Sequence, residues 1–301
     1  MGHAMSASVV NHSSIRNKNR GMKRWPLLLP SVSVLLVWMI VPLVMTIWYS
    51  LQNYNLQSPP AQFGGLSNFE YLFTDPDIPI VVWNTLLLIF GPLLITVCLG
   101  MAFAVLYDGP FPGRSIARLL VITPFFVMPT VAALVWKNLF FHPVWGLLAW
   151  VEKLFGMQPI DWFSSHPMVA VIIIVSWIWT PFATLILLTA MQSLDREQIE
   201  AARLDGAKAV SRFIHVVFPH LKRPISVLVM LETIFFLSTY AEIYVTTMGG
   251  PGTATTNMPF YIFSRALQGF DVGLASAAGL FAILIANVVA YFFIKRISEH
   301  L

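Results

Sequence analysis

Apolar residues along this chain fall into six blocks of about twenty residues or more, separated by polar segments that carry most of the charges. Twenty residues of α-helix are about 30 Å long, which matches the hydrocarbon thickness of a bilayer. Each block is therefore predicted to be a membrane-spanning helix. The six predicted spans are residues 27–49, 80–106, 118–139, 168–191, 225–246 and 272–294. This pattern predicts an all-α membrane protein with both termini on the same side.

Composition supports this fold class. Of the 301 residues, 57% are hydrophobic and only 11% are charged, and the mean hydropathy is +0.74. A water-soluble fold of this length could not bury so much apolar surface. The single cysteine, Cys98, lies within an apolar block. An internal disulfide and a CxxC metal or redox motif are therefore excluded.

The distribution of Lys and Arg predicts the orientation of the spans. Fifteen of the eighteen lie on the side of the N-terminus, and only Lys137, Lys153 and Arg265 lie on the other side. Because cytoplasmic loops carry the excess of basic residues, both termini are predicted to be cytoplasmic. Residues 1–24 are predicted to be a disordered cytoplasmic tail, and residues 25–301 the six-helix domain. The basic residues flank the apolar spans and do not line one polar face. They therefore indicate contact with membrane lipid and not with nucleic acid.

Helix breakers interrupt four of the spans. They are Pro30, Pro42, Gly91-Pro92, Pro124, Pro129 and Pro181. Each proline removes a backbone donor and leaves a carbonyl without its helical partner. At membrane depth such a carbonyl must be satisfied by protein or by a water-filled cavity. The pattern favours a bundle that encloses a passage, although prolines are also common in membrane helices of other functions.

The longest cytoplasmic loop, residues 192–224, has its own helical pattern. Its apolar residues recur at steps of three and four, which predicts two short amphipathic helices. Asp195 is a predicted N-cap for the first helix, and Asp205-Gly206 is predicted to end it because glycine readily adopts a left-handed conformation. Pro219 is predicted to close the second helix or to lie just beyond it.

This loop resembles the EAA loop in the membrane subunits of binding-protein-dependent ABC importers, whose pattern is Glu-Ala-Ala-x3-Gly-x9-Ile-x-Leu-Pro. The matching residues are Glu200-Ala201-Ala202, Gly206 and Val216-Val217-Phe218-Pro219. Val216 and Phe218 replace Ile and Leu and keep the apolar face. Other strings are similar to the first permease component of maltose-type sugar importers. They are Leu29-Pro30, Val41-Pro42, residues 65–69, Asn84-Thr85-Leu86, Pro129 with Trp136, Gly146-Leu147-Leu148, and residues 249–252, 255–257 and 273–278.

The resemblance implies a type I ABC importer transmembrane domain in the cytoplasmic (inner) membrane of a prokaryote. The implied partners are a second, non-identical permease subunit, an ABC ATPase dimer and an extracytoplasmic solute-binding protein. Residues 192–224, which we call the coupling segment, would dock on the ATPase through Glu200, Ala201, Ala202, Gly206 and Pro219. The alternative is a solvated loop that lies on lipid headgroups, which its six basic residues would favour.

The chain has no GxxxxGK[ST] phosphate-binding motif, so ATP hydrolysis is expected on the separate subunit. The resemblance thus predicts that this chain is not an enzyme and holds no cofactor, and that the partner ATPase binds ATP and Mg.

The candidate substrate pathway lies in the fifth predicted span. Glu232 is the only carboxylate of the chain that is predicted to lie well inside the hydrocarbon region. A charge is costly there, so the Glu232 side chain must face protein or water. Phe236 and Tyr240 follow at four-residue steps and are predicted to share its helix face. A carboxylate, an apolar ring and a phenol in one column suit a sugar or a sugar alcohol. The alternative is that Glu232 pairs with a neighbouring helix or with the partner subunit.

Two other functions compete with an ATP-driven sugar or polyol importer. An ion-coupled secondary transporter of a small polar solute would usually need ionisable relays in the bundle, whereas all seven histidines lie in tails or loops. An intramembrane enzyme would need a catalytic motif, and neither GxSxG nor HExxH occurs. Neither rival explains the spacing of the coupling segment.

Overall fold

A computed structural model of the chain describes residues 25–298. The predicted disordered tail, residues 1–24, lies outside the described residues. The described part is mainly helical, with one antiparallel hairpin of β1 (Gln52–Asn53) and β2 (Gln62–Phe63). The α-helices are α1 (Trp25–Ser50), α2 (Ser67–Thr74), α3 (Ile78–Asp108), α4 (Arg114–Ile122), α5 (Pro129–Val135), α6 (Leu147–Leu154), α7 (Trp162–Ser165), α8 (Pro167–Gln192), α9 (Arg196–Leu204), α10 (Ala209–Arg212), α11 (Phe218–Phe236), α12 (Ala241–Thr246), α13 (Met258–Phe263) and α14 (Val272–Ser298).

The described residues contain five helices that are long and apolar enough to cross a bilayer, or six if one sharply bent pair counts as a span. This result confirms the all-α membrane class. The described residues up to Met45 form one compact unit, the greater part of α1 with Pro30 and Pro42 inside it. The second unit begins at Thr46 and contains all the other helices.

The third predicted span, residues 118–139, is a helix broken between its two prolines, as the helix breakers Pro124 and Pro129 indicate. Two helical pieces, Arg114–Phe126 and Pro129–Phe140, meet at an angle of 106°. Met128 at the break has an extended backbone, with φ −59° and ψ 136°, because the residue before a proline is excluded from the helical region. Pro129 then begins α5, where its missing N–H removes no helical hydrogen bond.

The fifth predicted span, residues 225–246, has both ends in the wrong place. The helix already begins at Ala209, continues through a π turn (Phe213–Val217) and ends at Phe236. Pro219 therefore neither closes the second short helix nor lies beyond it. It occupies the first turn of α11, where a proline is tolerated. After a break at residues 237–240, the chain resumes as α12.

The centre of the second unit is the contact between α3 and α8. The two backbones approach closely at Gly100, where an added Cβ would lie 2.6 Å from the Cβ of Ala183. One apolar cluster joins these two helices to α11, α12 and α13. Its buried members are Leu88, Ile89, Leu93, Val171, Val175, Phe236, Ile243 and Phe260. Both the coupling segment and Glu232 are thus attached to this packed centre through α11.

Candidate functional site

The coupling segment begins with a capped helix, as predicted. Asp195 has an extended backbone, and its Oδ1 accepts a hydrogen bond of 3.0 Å from the backbone N–H of Glu197. This bond satisfies one of the free N–H groups in the first turn of α9. The carboxylate also lies at the positive end of the helix dipole. The N-cap prediction for Asp195 is confirmed.

The end of α9 is a tight turn centred on Gly206. Gly206 has φ +78°, the left-handed region that favours glycine. The N–H of Ala207 donates to the Ala202 carbonyl at 3.0 Å, and the N–H of Gly206 donates to the Arg203 carbonyl at 3.0 Å. The last carbonyls of α9 are therefore capped within the turn. The left-handed conformation predicted at Asp205-Gly206 is confirmed at Gly206.

Side chains hold this turn against its neighbours. The Nη1 atom of Arg212 donates to the Ala207 carbonyl at 2.7 Å, which ties α10 to the turn. At the other end of the segment, Leu194 is buried. The Nε2 atom of His220 lies 3.1 Å from the Ala190 carbonyl, so the first turn of α11 is joined to the end of α8. The coupling segment is thus held to the bundle at both of its ends.

Most of the coupling segment's predicted docking residues are exposed. Glu200, Ala201, Gly206 and Pro219 are exposed, and Ala202 is half-buried. Large apolar side chains in the same segment are also exposed: Leu204 by 89%, Val210 by 70% and Ile214 by 52%. A cluster of exposed apolar side chains indicates a surface that another molecule covers. Pro219 lies in α11, apart from the turn at Gly206.

Glu232 lies between two helices and has no contact with solvent. Its side chain is fully buried, and its Oε2 accepts a hydrogen bond of 2.6 Å from the Thr96 hydroxyl of α3. Its Oε1 atom has no hydrogen-bond partner among the described residues. This geometry agrees with the alternative in which Glu232 joins neighbouring helices. Its role in a substrate pathway stays a prediction.

The predicted column of Glu232, Phe236 and Tyr240 is interrupted, so the shared face is wrong for Tyr240. Phe236 is the last residue of α11 and is buried, whereas Tyr240 lies beyond the break and is 41% exposed. The break is stabilised by Asn257, whose Nδ2 donates to the Thr239 carbonyl at 2.6 Å. A polar side chain thus satisfies a backbone group that the broken helix leaves unpaired.

An aromatic cluster beside this break was missed in the sequence. The Trp179 ring lies 4.5 Å from the Phe235 ring and 5.7 Å from the Phe125 ring, centroid to centroid. Phe235 is 47% exposed, so the cluster reaches the surface of the chain. Aromatic residues are frequent in all six spans. The spacing of apolar residues therefore did not distinguish these three from the other aromatic residues. The prolines that flank two of them, Pro124 and Pro181, were the available signal.

Sequence analysis also did not identify a polar network that is formed by Asp75, Tyr261 and Arg265. Asp75 Oδ2 accepts from the Tyr261 hydroxyl at 3.0 Å and forms an ion pair with Arg265 at 3.3 Å. The Arg265 guanidinium lies 4.9 Å from the centre of the Tyr261 ring. Burial raises the pKa of Tyr261 to about 12, although the positive charge of Arg265 opposes that shift. The network connects the loop before α3 to α13 and to the π turn that follows α13.

Comparisons with known proteins agree on one family. A model described as the inner membrane component of binding-protein-dependent transport systems matches residues 27–301. The chain is 32% identical to the probable ABC transporter permease protein y4oQ of Sinorhizobium fredii over 252 residues, 83% of this chain and 81% of that protein. It is 30% identical to the trehalose/maltose transport system permease protein MalF of Thermococcus litoralis over 274 residues, 90% of this chain and 92% of that protein.

A solved structure shows the same fold. One chain in the crystal structure of a bacterial alginate ABC transporter, in complex with an alginate pentasaccharide-bound periplasmic protein, superimposes with a TM-score of 0.76. The two chains are 23% identical, and the match covers 89% of this chain and 91% of that chain. The type I importer fold inferred from the sequence is therefore confirmed. This chain belongs to the family of inner membrane permease components of binding-protein-dependent ABC transport systems.

Proposed function

We propose that this permease moves a sugar or sugar alcohol inward, driven by a separate ATPase dimer that binds ATP and Mg. The exposed surface of α9 and α10 is the observation that carries the proposal. Leu204 and Val210 present apolar side chains to solvent beside the exposed carboxylate of Glu200. An apolar surface that also carries exposed charged groups, among them Glu200, Arg203 and Lys208, suits a protein groove better than it suits water.

The coupling segment is built to transmit movement. The helical segment that starts at Ala209 runs through the π turn (Phe213–Val217) and α11 to Phe236, at the packed centre of the bundle. A displacement of α9 and α10 by the ATPase would therefore move α11 as a rigid element. ATP must bind the closed ATPase arrangement better than the open one, because a ligand shifts an equilibrium only by its differential affinity. Ala201, Ala202 and Gly206 allow close approach at this contact, and Glu200 would pair with a basic residue of the ATPase.

The remaining partners follow from the family and from the sidedness of the charges. We propose a second, non-identical permease subunit and an extracytoplasmic solute-binding protein, with both termini of this chain in the cytoplasm. The excess of Lys and Arg on the side of the coupling segment supports this orientation. The ATPase would then approach the exposed surface of α9 and α10 from the cytoplasm.

The proposed cargo rests on the relatives and on the composition of the bundle. The relative from Thermococcus litoralis is named for trehalose and maltose. Tyr240 is accessible in this conformation, and its ring lies 5.5 Å from the ring of Phe263, centroid to centroid. Glu232 and Phe236 would reach the cargo only in a conformation that separates α3 from α11. A phenol beside apolar rings suits the C–H faces and the hydroxyls of a sugar or polyol.

Reconstitution tests the proposal. The chain is combined with its second permease, ATPase and binding protein in lipid vesicles, and uptake and ATP hydrolysis are measured with the ligand found on the binding protein by mass spectrometry. We expect both activities to require the loaded binding protein and ATP. Uptake by this chain alone, driven by a proton or sodium gradient, would show that it is an ion-coupled transporter.

A further inference from the structure

The loop that follows α12 is partly buried in the bundle. This outer loop, residues 247–257, connects α12 to α13. Its tip, residues 251–252, is exposed, whereas Thr255, Thr256 and Asn257 are buried. Connecting segments normally run over the surface, because buried backbone groups need hydrogen-bond partners. The buried part of the outer loop must therefore find its partners within the protein.

Hydrogen bonds within the outer loop fold it into one compact unit. The N–H of Thr255 donates to the Gly249 carbonyl at 3.0 Å, and the Thr256 hydroxyl donates to the same carbonyl at 3.1 Å. The hydroxyls of Thr247 and Thr255 lie 2.7 Å apart and join the two legs of the loop. Gly249 has φ +85°, and an added Cβ there would lie 2.7 Å from a ring carbon of Phe260. The loop can therefore move as a unit but has little room to change its shape.

Two buried side chains near the start of α3 hold the outer loop. The Nδ2 atom of Asn84 donates to the carbonyls of Thr253 and Thr256, at 2.9 Å and 3.0 Å. The Thr85 hydroxyl accepts from the N–H of Met258, the first residue of α13, at 2.9 Å. The loop is thus braced against the helix whose contact with α8 forms the centre of the second unit.

A third hold connects the outer loop to the break in the fifth span, residues 237–240. Asn257 is 1% exposed, and its Nδ2 atom donates to the Thr239 carbonyl at 2.6 Å. In an unbroken helix that carbonyl would accept from a backbone N–H four residues later. The Oδ1 atom of Asn257 accepts from the N–H of Phe260 at 3.0 Å, which caps the first turn of α13. One side chain thus joins the outer loop, the break and α13.

We propose that Asn257 is a positioning residue that passes a displacement of the outer loop to the break, and so to α11 and the coupling segment. This role rests on the proposed function, since the displacement would come from the loaded solute-binding protein at the exposed tip. The helical segment that begins in the coupling segment at Ala209 ends at this break. Residues 237–240 lie outside the helices and can absorb a change in backbone dihedrals, as hinge residues do. A protein docked on the outer face would thereby alter the ATPase on the inner face through one chain of contacts.

The ratio of two ATPase rates tests this role. The whole importer is reconstituted in lipid vesicles, and ATP hydrolysis is measured with and without the loaded binding protein. Asn257→Ser keeps a cap for α13, because serine is a favoured N-cap residue, but its side chain is too short to reach the Thr239 carbonyl. We expect stimulation by the binding protein to fall about fivefold or more. A smaller amount of folded importer would lower both rates alike and leave their ratio unchanged.

Asn84→Ser removes the hold on α3, because its shorter side chain no longer reaches the carbonyls of Thr253 and Thr256. We expect stimulation to fall in this variant too, since a loop that slips on α3 transmits less of its displacement. An unchanged ratio in Asn257→Ser or in Asn84→Ser would overturn the proposal.

Asn68→Ser is the matched control. Asn68 is a buried amide whose Nδ2 donates to the carbonyls of Ser50 at 2.9 Å and Gln52 at 2.8 Å, neither of which belongs to the outer loop. This variant should lower the melting temperature as the other two do and keep the wild-type ratio. Equal loss of stimulation in Asn68→Ser and Asn257→Ser would overturn the proposal in favour of a general weakening of this end of the bundle.

Hydrogen exchange at the break gives a direct measure of the displacement. The loaded binding protein should change the exchange rate of the backbone amides at residues 237–240 in the wild type and leave it unchanged in Asn257→Ser. Equal behaviour of the two proteins would overturn the role of Asn257. A wild-type importer whose ATPase does not respond to the loaded binding protein would overturn the proposed function itself, and the role of Asn257 with it. A response that Asn257→Ser retains in full would overturn the role of Asn257 alone.

Discussion

The hydroxyl of Thr96 in α3 donates a hydrogen bond of 2.6 Å to the carboxylate of Glu232 in α11. Both side chains are fully buried, and they are 136 residues apart in the chain. The bond therefore joins the second span to the helix that carries the coupling segment. A polar pair at this depth must be retained as a pair, because either group alone would be a buried polar atom without a partner.

Replacing Thr96 by Val should destabilise the complex. The change leaves Glu232 Oε2 without its donor, which costs about 1–3 kcal/mol. Thermal unfolding of the purified importer measures the effect. Thr184→Val is the control, because buried Thr184 donates only to the Thr180 carbonyl of its own helix, at 2.8 Å. Equal melting temperatures for the two variants would show that the Thr96–Glu232 bond adds nothing.

Glu232→Gln separates the two roles considered for this residue. Glutamine keeps an oxygen that can accept from Thr96, so we expect assembly and melting temperature to be retained. If the carboxylate meets cargo hydroxyls in another conformation, uptake should fall several-fold, because hydrogen bonds to a charged acceptor are about twice as strong as neutral ones.

The control for this change is Glu152→Gln, at a buried carboxylate that accepts from the Ile160 N–H at 2.9 Å. Its uptake should stay close to that of the wild type. Wild-type uptake in Glu232→Gln as well would remove Glu232 from the pathway and leave it the role of joining two helices.

Gly206→Ala should impair coupling. The alanine Cβ meets no atom within 4 Å, but φ +78° disfavours an L-residue by about 1–2 kcal/mol. The turn would relax and reorient α9. We expect fewer cargo molecules imported per ATP hydrolysed, with normal insertion into the membrane.

Gly156→Ala is the matched control for that experiment. Gly156 also has a left-handed backbone, with φ +71°, and an open surrounding, but it follows α6, away from the coupling segment. Transport per ATP should be unchanged in this variant. Unimpaired coupling in Gly206→Ala would contradict the role assigned to the turn.

The sequence was sufficient where the physical signal is local. The length of each apolar block predicted the spans, and Asp195 and Gly206 predicted the two ends of α9 because a cap and a left-handed turn need particular residue types. The spacing of Glu200, Ala201, Ala202 and Gly206 led to the family. All of these signals lie within a few residues of the structure they predict.

The errors concern breaks in helices and contacts between them. Prolines at 124 and 129 signalled a disturbance, but its angle of 106° depends on how the two pieces pack. No proline marks the break after Phe236. The Thr239 carbonyl at this break is satisfied by Asn257, which lies 18 residues further along the chain. The pairing of Thr96 with Glu232 was likewise hidden, because it depends on the three-dimensional packing of α3 against α11.

Tyr261 should make the protein sensitive to alkaline pH. Burial raises its pKa from 10.0 to about 12, so the folded state favours the protonated phenol. This contribution to stability is fully present below pH 10 and is lost as the pH rises towards 12. We expect the melting temperature of Tyr261→Phe to fall less steeply across this window than that of the wild type. Tyr71→Phe, at an exposed tyrosine, should follow the wild-type curve, and identical slopes in all three proteins would contradict the prediction.

Gly100→Leu should separate the two helices at the centre of the bundle. An added Cβ would lie 2.6 Å from the Ala183 Cβ and 3.1 Å from the Ala183 carbonyl carbon, so α8 would have to move. Overpacking of this kind destabilises by about 1–3 kcal/mol, and more where backbone must shift. Gly279→Leu is the control, because the nearest atom to its added Cβ is Thr46 Cγ2 at 3.9 Å. We expect a lower melting temperature and weaker assembly with the partner subunits for Gly100→Leu alone. Equal behaviour of the two variants would mean that α3 and α8 do not meet at Gly100 in the assembled importer.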